Sequence, residues 1–380
     1  MNKRALYRSL VRLVPGGPRE LTPLKKSLPD SALAACRDIL RRHRAQAGAL
    51  ALFDRDGLRD HFVYGQARQG LPVGAETAFR LASVSKLVTS AGILAMRQQG
   101  LVDLDADADA GLPYSLRHPK APDRPVTLRM LLSHTAGIRD GSAYTRSLTG
   151  NAGAGELLQA DSHTAHLPME GCEYSNFGFG LAGCAVEAQT GLSFQAAMAR
   201  HLFEPLGLRA AYYPQLLTAP VADARRVLPL RRRPNFDGAA RQAAPLADWQ
   251  TPDPMRHHLL AHGNCCADVD SLAALGRALL TPGLFTGHTL EMMRSPLASL
   301  GVRDPHLRQG LGMFILRDAR IGPMTLYGHQ GMAYGAVQML FLDPDAGRGI
   351  ISLTVGASEA REYILADLNR DLLCWWTSHA

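Results

Sequence analysis

Residues 79–99 read FRLASVSKLVTSAGILAMRQQ, and the rest of the chain is best read outward from them. From Val84 onward apolar residues leave hardly any polar face, which predicts a helix buried on all sides. Ser83 stands where that helix would begin, and Lys86 follows one turn later on the same face. A serine hydroxyl is a poor nucleophile until a neighbouring base takes its proton. A lysine becomes such a base when burial strips water from its ammonium and lowers its pKa. A helix N-terminus adds an N–H group and a positive dipole end, both suited to a developing oxyanion. Ser85 does not fit the same pattern, because Val88 lies three residues beyond it. Alone, Ser-x-x-Lys is a weak signal; its weight depends on what surrounds it.

To the N-terminal side, residues 31–46 read as an amphipathic helix with Leu33, Cys36, Ile39 and Leu40 on one side. Residues 47–57 (AGALALFDRDG) read as a strand and turn, and DHFVYGQA from Asp60 as the partner strand, joined near Asp56 and Gly57. To the C-terminal side, residues 103–300 are mainly helical, with helices expected at 127–133, 177–190, 193–202 and 268–280. After 310 the pattern turns to short strands: LGMFILRD, PMTLYGH, GAVQMLFLD and GIISLTVG, followed by a helix over 359–376. Strands at both ends with short connections imply one antiparallel sheet built from both termini. The expected class is α+β. Its divisions are an N-terminal arm (1–30), a sheet domain (31–102 with 301–380) and a mainly helical domain (103–300). Residues 209–262 read as an irregular insertion lining the cleft. Its Arg225, Arg226, Arg231, Arg232 and Arg233 suggest either a solvated loop or a lid attracting anionic substrates.

The 380 residues are 46% hydrophobic and 20% charged, ample for a folded core and unlike a disordered chain. No apolar run approaches the roughly 18 residues of a membrane-spanning helix, so no stable membrane insertion is expected. A net charge of +7 permits an acidic partner without calling for nucleic acid. Five of the 41 basic residues are lysines, which makes Lys86 inside an apolar stretch conspicuous. Six cysteines without a CxxC spacing are expected as reduced thiols, with Cys172 and Cys184 the pair considered for a bridge. Arg4, Arg8 and Arg12 share one helical face, and Arg8 and Arg12 interrupt any signal-peptide core. The segment is therefore expected to be a solvated helix or frayed arm, with attachment to an anionic membrane surface the lesser alternative. A cytoplasmic location is the matching expectation.

Two further elements carry chemistry. Tyr174-Ser175-Asn176 offers a phenol and an amide. A phenol beside a lysine ammonium is expected to have a depressed pKa and to act as base or proton shuttle, while the amide orients a substrate carbonyl. Tyr327-Gly328-His329-Gln330-Gly331-Met332 reads as an edge strand in which Gly331 permits close backbone approach.

Taken in order, Ser-x-x-Lys at a buried helix start, Tyr-Ser-Asn, and His-x-Gly in a late strand resemble the serine β-lactamase and penicillin-binding-protein superfamily. Within it the chain is similar to the class C β-lactamase-like serine hydrolases, which include esterases and D-amino-acid peptidases. QQGLVDLDA, VTLRMLLSHTAGI and GHQGMAYGAVQMLFLDPDAGRGIISLTV continue the likeness from about residue 32 to 376, apart from 209–262. The resemblance implies a β-lactamase/transpeptidase-like fold and an acyl-enzyme route. Ser83 would be the nucleophile, Lys86 and Tyr174 its base and proton shuttle, and Asn176 the substrate-orienting amide. His329 and Gly331 would line the substrate strand, and the N–H groups of Ser83 and Met332 would form the oxyanion hole. No cofactor or metal is implied. His134 is expected to be structural.

Two departures from the resemblance matter. His329-Gln330-Gly331 stands where β-lactamases carry Lys-Thr-Gly, so a permanent cation for a substrate carboxylate is replaced by a group only partly charged near neutrality. This favours a small-molecule ester or amide over a β-lactam, with a D-amino-acid peptide as the alternative substrate. His262-Gly263-Asn264-Cys265-Cys266 replaces the usual small residues; with His258 it suggests a rival zinc site. A non-catalytic penicillin-binding or sensing protein on the same fold is the second reading. Oligomeric state stays open.

Overall fold

Nine strands hydrogen-bond into one antiparallel sheet that draws on both ends of the chain. The structure, a computed structural model, describes residues 6–10, 16–147, 152–228, 231–237 and 248–379. The strands are β1 (Thr22–Lys25), β2 (Ala47–Asp54), β3 (Leu58–Tyr64), β4 (Ala298–Ser299), β5 (Leu307–Gln309), β6 (Phe314–Leu316), β7 (Leu326–Ala333), β8 (Ala336–Asp343) and β9 (Arg348–Val355). Their spatial order is β1-β3-β2-β9-β8-β7-β6-β5-β4. The two chain ends meet where β9 pairs with β2, from Arg348 opposite Asp54 to Val355 opposite Ala47.

Both faces of the sheet are covered, so β2, β8 and β9 are apolar or small on both sides and buried almost throughout. On one face lie α1 (Asp30–Arg42) and the C-terminal helix α6 (Asp367–His379). Helix α1 buries Ala32, Cys36, Ile39 and Leu40, the i, i+4, i+7, i+8 stripe of an amphipathic helix. Trp375 of α6 donates its indole N–H to the Ala32 carbonyl at 2.9 Å, which ties the two helices together. On the other face lie α2 (Val84–Gln98), α3 (Asn176–Thr190) and α4 (Val269–Leu280) in a larger apolar cluster. The long helices fall close to the expected spans.

Several elements differ from expectation. β1 lies inside the segment expected to be an arm, β4 lies in the stretch read as mainly helical, and β5 lies just before the stretch read as strands. β7 is not an edge strand, because β6 and β8 flank it. However, β6 reaches only to Gly328, so the stretch from His329 onward pairs with β8 alone. Helix α6 starts eight residues later than its apolar periodicity predicts. The Ile364 N–H donates to Asp304, and Gln330 donates to the Ile364 carbonyl, so tertiary bonds hold residues 361–364 as a loop. The segment expected to be a solvated arm is docked at Arg8, which donates to both oxygens of Asp367 at 2.7 and 3.2 Å; Arg4 and Arg12 lie outside the described residues. All six thiols are free, Cys172 and Cys184 included. The 209–262 insertion contains a two-stranded hairpin, Ala224–Leu228 with Arg231–Asp237.

Candidate active site

Ser83 occupies the N-cap of α2, yet its side chain makes no capping bond. The hydroxyl is thereby left for other partners. The preceding Ala82 has φ 47°, a left-handed conformation costly for a residue with a Cβ. That turn is braced by β7: a Cβ on Gly331 would lie 2.2 Å from the Leu81 carbonyl oxygen and 2.8 Å from the Ser83 nitrogen. Only glycine lets the strand seat against the nucleophile's turn.

Lys86 is fully buried. Its ammonium has three donors, and three acceptors surround it: Ser83 Oγ at 3.2 Å, Asn176 Oδ1 at 2.7 Å and the His262 carbonyl at 2.9 Å. Burial lowers its pKa to about 7, with Asp140 pulling the other way. The neutral amine can therefore form at ordinary pH, keep two of these bonds and turn its lone pair to Ser83.

Tyr174 and Asn176 arrive together, Tyr174 two residues before α3 and Asn176 on its first position. Ser175 between them caps the helix, its Oγ accepting from the Gly178 N–H at 2.9 Å. The Tyr174 ring lies 5.0 Å from Lys86 Nζ, and Ser83 is near enough to its hydroxyl to pull the phenol pKa down against burial. The expected depression of its pKa does not occur; burial pushes it up. Desolvation of the phenolate outweighs the influence of Ser83 and Arg361, and the nearby Asp140 charge adds to the rise. Tyr174 is thus a neutral hydroxyl that can relay a proton rather than a standing base.

His329 also departs from expectation. It is 1% exposed, and burial lowers its pKa to about 3, so the ring is neutral throughout the usual range. Nδ1 lies 2.5 Å from the Gln330 carbonyl. A carbonyl only accepts, which puts the proton on Nδ1 and leaves Nε2 as a lone-pair acceptor, with no partner among the described residues. The Phe314 ring stacks on it at 4.1 Å. Ser83, Tyr174, Asn176, His329, Met332 and Arg361 line a cleft of about 800 Å³.

Two contributors were not legible beforehand. Asp140 accepts from Asn176 Nδ2 at 2.7 Å, Ser175 Oγ at 3.0 Å and the Phe177 N–H at 2.9 Å. It fixes the amide so that Oδ1 faces Lys86. Nothing in the local sequence marks it, since its partners lie 35 to 37 residues away. The second is the His262 carbonyl, a backbone group that no side-chain motif reports. His134, with φ 61°, accepts the Ser175 N–H on Nδ1 at 3.1 Å and packs against the Tyr174 ring at 4.4 Å. The residues proposed for zinc do not converge. His262 Nε2 bonds the Tyr144 hydroxyl at 3.0 Å, His258 Nδ1 faces the Met255 carbonyl, and among the described residues no three His, Cys, Asp or Glu side chains form a metal-holding group. The anion-attracting lid is not built from Arg225, which is 6% exposed and donates to the Gln66 and Ala67 carbonyls. The side chains of Arg226 and Arg231–Arg233 lie outside the described residues.

Replacing Asp140 with asparagine is expected to lower kcat/KM by roughly 10- to 100-fold, the value of a hydrogen bond to a charged group. The acid limb of the kcat/KM–pH profile should also move to lower pH. Removing the carboxylate charge removes the influence that raises the Lys86 pKa. A pH–rate series on both proteins checks the two effects together.

The family profile described as Beta-lactamase matches residues 32–373. The chain belongs to the beta-lactamase family. Esterase EstB of Burkholderia gladioli is 28% identical over 393 aligned residues, covering 92% of this chain and 97% of that protein. Penicillin-binding protein 4* of Bacillus subtilis is 27% identical, but the match covers 44% of this chain and only 38% of that protein. Among solved structures, EstCE1, described as a hydrolase with promiscuous acyltransferase activity, superposes with a TM-score of 0.75 at 20% identity, covering 92% and 99% of the two chains. The D-amino acid amidase of Ochrobactrum anthropi SV3 gives 0.71 at 22% identity, covering 91% and 97%. The fold is therefore shared with these solved structures over nearly the whole chain.

Proposed function

We propose that this member of the beta-lactamase family is a serine hydrolase that cleaves small carboxylic esters through an acyl-enzyme on Ser83. Lys86 in its neutral form takes the Ser83 proton as Oγ attacks the ester carbonyl. The tetrahedral oxyanion is held by the N–H groups of Ser83 and Met332. Its collapse breaks the acyl C–O bond. The proton passes from Lys86 through Tyr174 to the departing alkoxide, which leaves as the alcohol. Water then attacks the acyl-Ser83 ester, gives up a proton to Lys86, and the carboxylic acid departs with Ser83 restored. Asn176, pinned by Asp140, keeps Lys86 aligned and offers its amide toward the cleft.

The observation that carries the preference for esters is His329. At the position where β-lactamases carry a lysine, the cleft wall has a buried, uncharged ring, and the guanidinium groups of the cleft stand elsewhere, on Arg361 and on Arg303, which is paired with Glu173. A neutral ring at that position supplies no charge to pair with a substrate carboxylate, a loss that an uncharged ester does not feel. The expected result is turnover of p-nitrophenyl butyrate that Ser83→Ala abolishes, together with nitrocefin turnover at least 100-fold slower in kcat/KM. Nitrocefin hydrolysis at a comparable rate would overturn the preference. The absence of both activities, with Ser83 unlabelled by a fluorophosphonate probe, would overturn the hydrolase reading and leave a binding protein on the same fold.

A further inference from the structure

A second groove, of about 400 Å³, opens at the far end of the sheet, under the C-terminus of α5 (Gly287–Arg294). Arg294, His306, Arg308, Ile315, Arg317 and Tyr327 line it. The sheet register explains why these side chains share a face. Arg308 of β5 pairs with Ile315 of β6, and Ile315 pairs with Tyr327 of β7. The Arg317 N–H bonds the His306 carbonyl at 2.9 Å, which sets the next row two residues along. The intervening row, Leu307, Leu316 and Leu326, is buried in the apolar cluster under α6, so the arginine rows face the opposite way. The result is a grid with about 5 Å between strands and about 7 Å between rows, closed on one side by Arg294.

The charge in this grid is uncompensated. Among the described residues no carboxylate forms an ion pair with Arg294, Arg308 or Arg317. Arg294 is half-buried, donates to the Leu279 carbonyl and lies 5.9 Å over the Tyr327 ring. Arg317 is steadied by Thr325 Oγ1 at 2.7 Å. Two acids are near. Asp345 acts on Arg294 from a distance, against Arg55 of the opposite sign, and Asp318 near His306 is clasped by Arg320. Three guanidinium groups line one groove. Guanidinium forks suit phosphate oxygens, which they bind two at a time.

We propose that this groove binds an oligophosphate, a molecule carrying two or more adjacent phosphate groups, at a site separate from Ser83. Isothermal titration of the full chain with sodium tripolyphosphate tests it. Saturable one-to-one binding is expected, at least tenfold tighter than inorganic phosphate. The double variant Arg308→Glu/Arg317→Glu should weaken it at least tenfold while leaving ester turnover unchanged. A second double variant, Arg200→Glu/Arg256→Glu, carries the same change in net charge elsewhere and should alter binding less than threefold. Equal affinity in wild type and the groove variant would overturn the proposal, and so would equal loss in the two variants. Both pairs are on the surface, and circular dichroism checks that each variant folds. Sedimentation with vesicles of phosphatidylcholine containing phosphatidylinositol bisphosphate separates the sources. Binding lost in the groove variant puts the phosphates on a lipid headgroup, and tripolyphosphate binding without vesicle binding puts them on a soluble molecule.

Discussion

Replacing Lys86 with methionine is expected to lower kcat/KM for ester hydrolysis by roughly 10³- to 10⁴-fold, near the upper end of what a positioned general base contributes. Methionine fills similar volume but offers no lone pair of comparable basicity. Lys86→Arg should fail equally, because a guanidinium does not give up its proton in this range. The wild-type profile supplies an independent check. With Lys86 near 7, kcat/KM should climb with pH and level off above neutrality, and at pH 5 it should lie about 100-fold below the plateau. The same depressed pKa predicts a stability signature. Between about pH 7 and the ordinary lysine value of 10.5, the unfolded chain binds a proton that the folded chain does not. Stability from this group therefore rises with pH across that window and is lost as pH falls toward 7. Urea unfolding at pH 7 and pH 9 should show the rise in wild type and a smaller one in Lys86→Met. Retained esterase activity in Lys86→Met would assign the base to another group.

What could be read in advance, and what could not, follows from how far apart the partners lie in the chain. Ser83 and Lys86 are one helical turn apart, so spacing alone places them together. Tyr174 and Asn176 straddle a helix start, and Ser175 is a good capping residue, so their presentation was also local. The paired strands near Asp56 and Gly57 and from Tyr327 to Val355 follow from short apolar runs bounded by turn chemistry. Asp140 and the His262 carbonyl reach the site only through tertiary packing, and no periodicity encodes that. The charge states were misread for a related reason. Chemistry places a phenol near a lysine and a histidine in a strand, but burial decides that the phenol is raised and the imidazole held neutral. Burial is a property of the whole fold. The late start of α6 belongs with these cases. The apolar period runs on through Ile364 and Leu365, and bonds from Asp304 and Gln330 override it.

Gly331→Ala is expected to cost roughly 10²- to 10³-fold in kcat, the effect of disturbing an oxyanion-hole donor. The geometry leaves no soft way to place one methyl group. The nearest atoms to the added Cβ would be the Leu81 carbonyl oxygen at 2.2 Å, the Ser83 nitrogen at 2.8 Å and Ala82 Cβ at 3.0 Å. Two of these are backbone, and the third belongs to a residue already held at positive φ. The turn before Ser83 and strand β7 must therefore separate by several tenths of an ångström or more. That movement shifts the Ser83 N–H away from the place where the oxyanion develops, and it carries Met332, the next residue on β7, with it. Substrate contacts made by Tyr174, just before α3, and by Asn176, at its start, do not depend on that gap, so KM should change much less than kcat. The catalytic base is also untouched, so the acid limb of the pH profile should keep its midpoint near 7 while the plateau falls. Steady-state kinetics across pH separates this outcome from the Lys86 substitutions, which remove the titration itself. A Gly331→Ala enzyme with more than a tenth of the wild-type kcat would mean that β7 does not brace the nucleophile's turn and that the oxyanion is held by other groups.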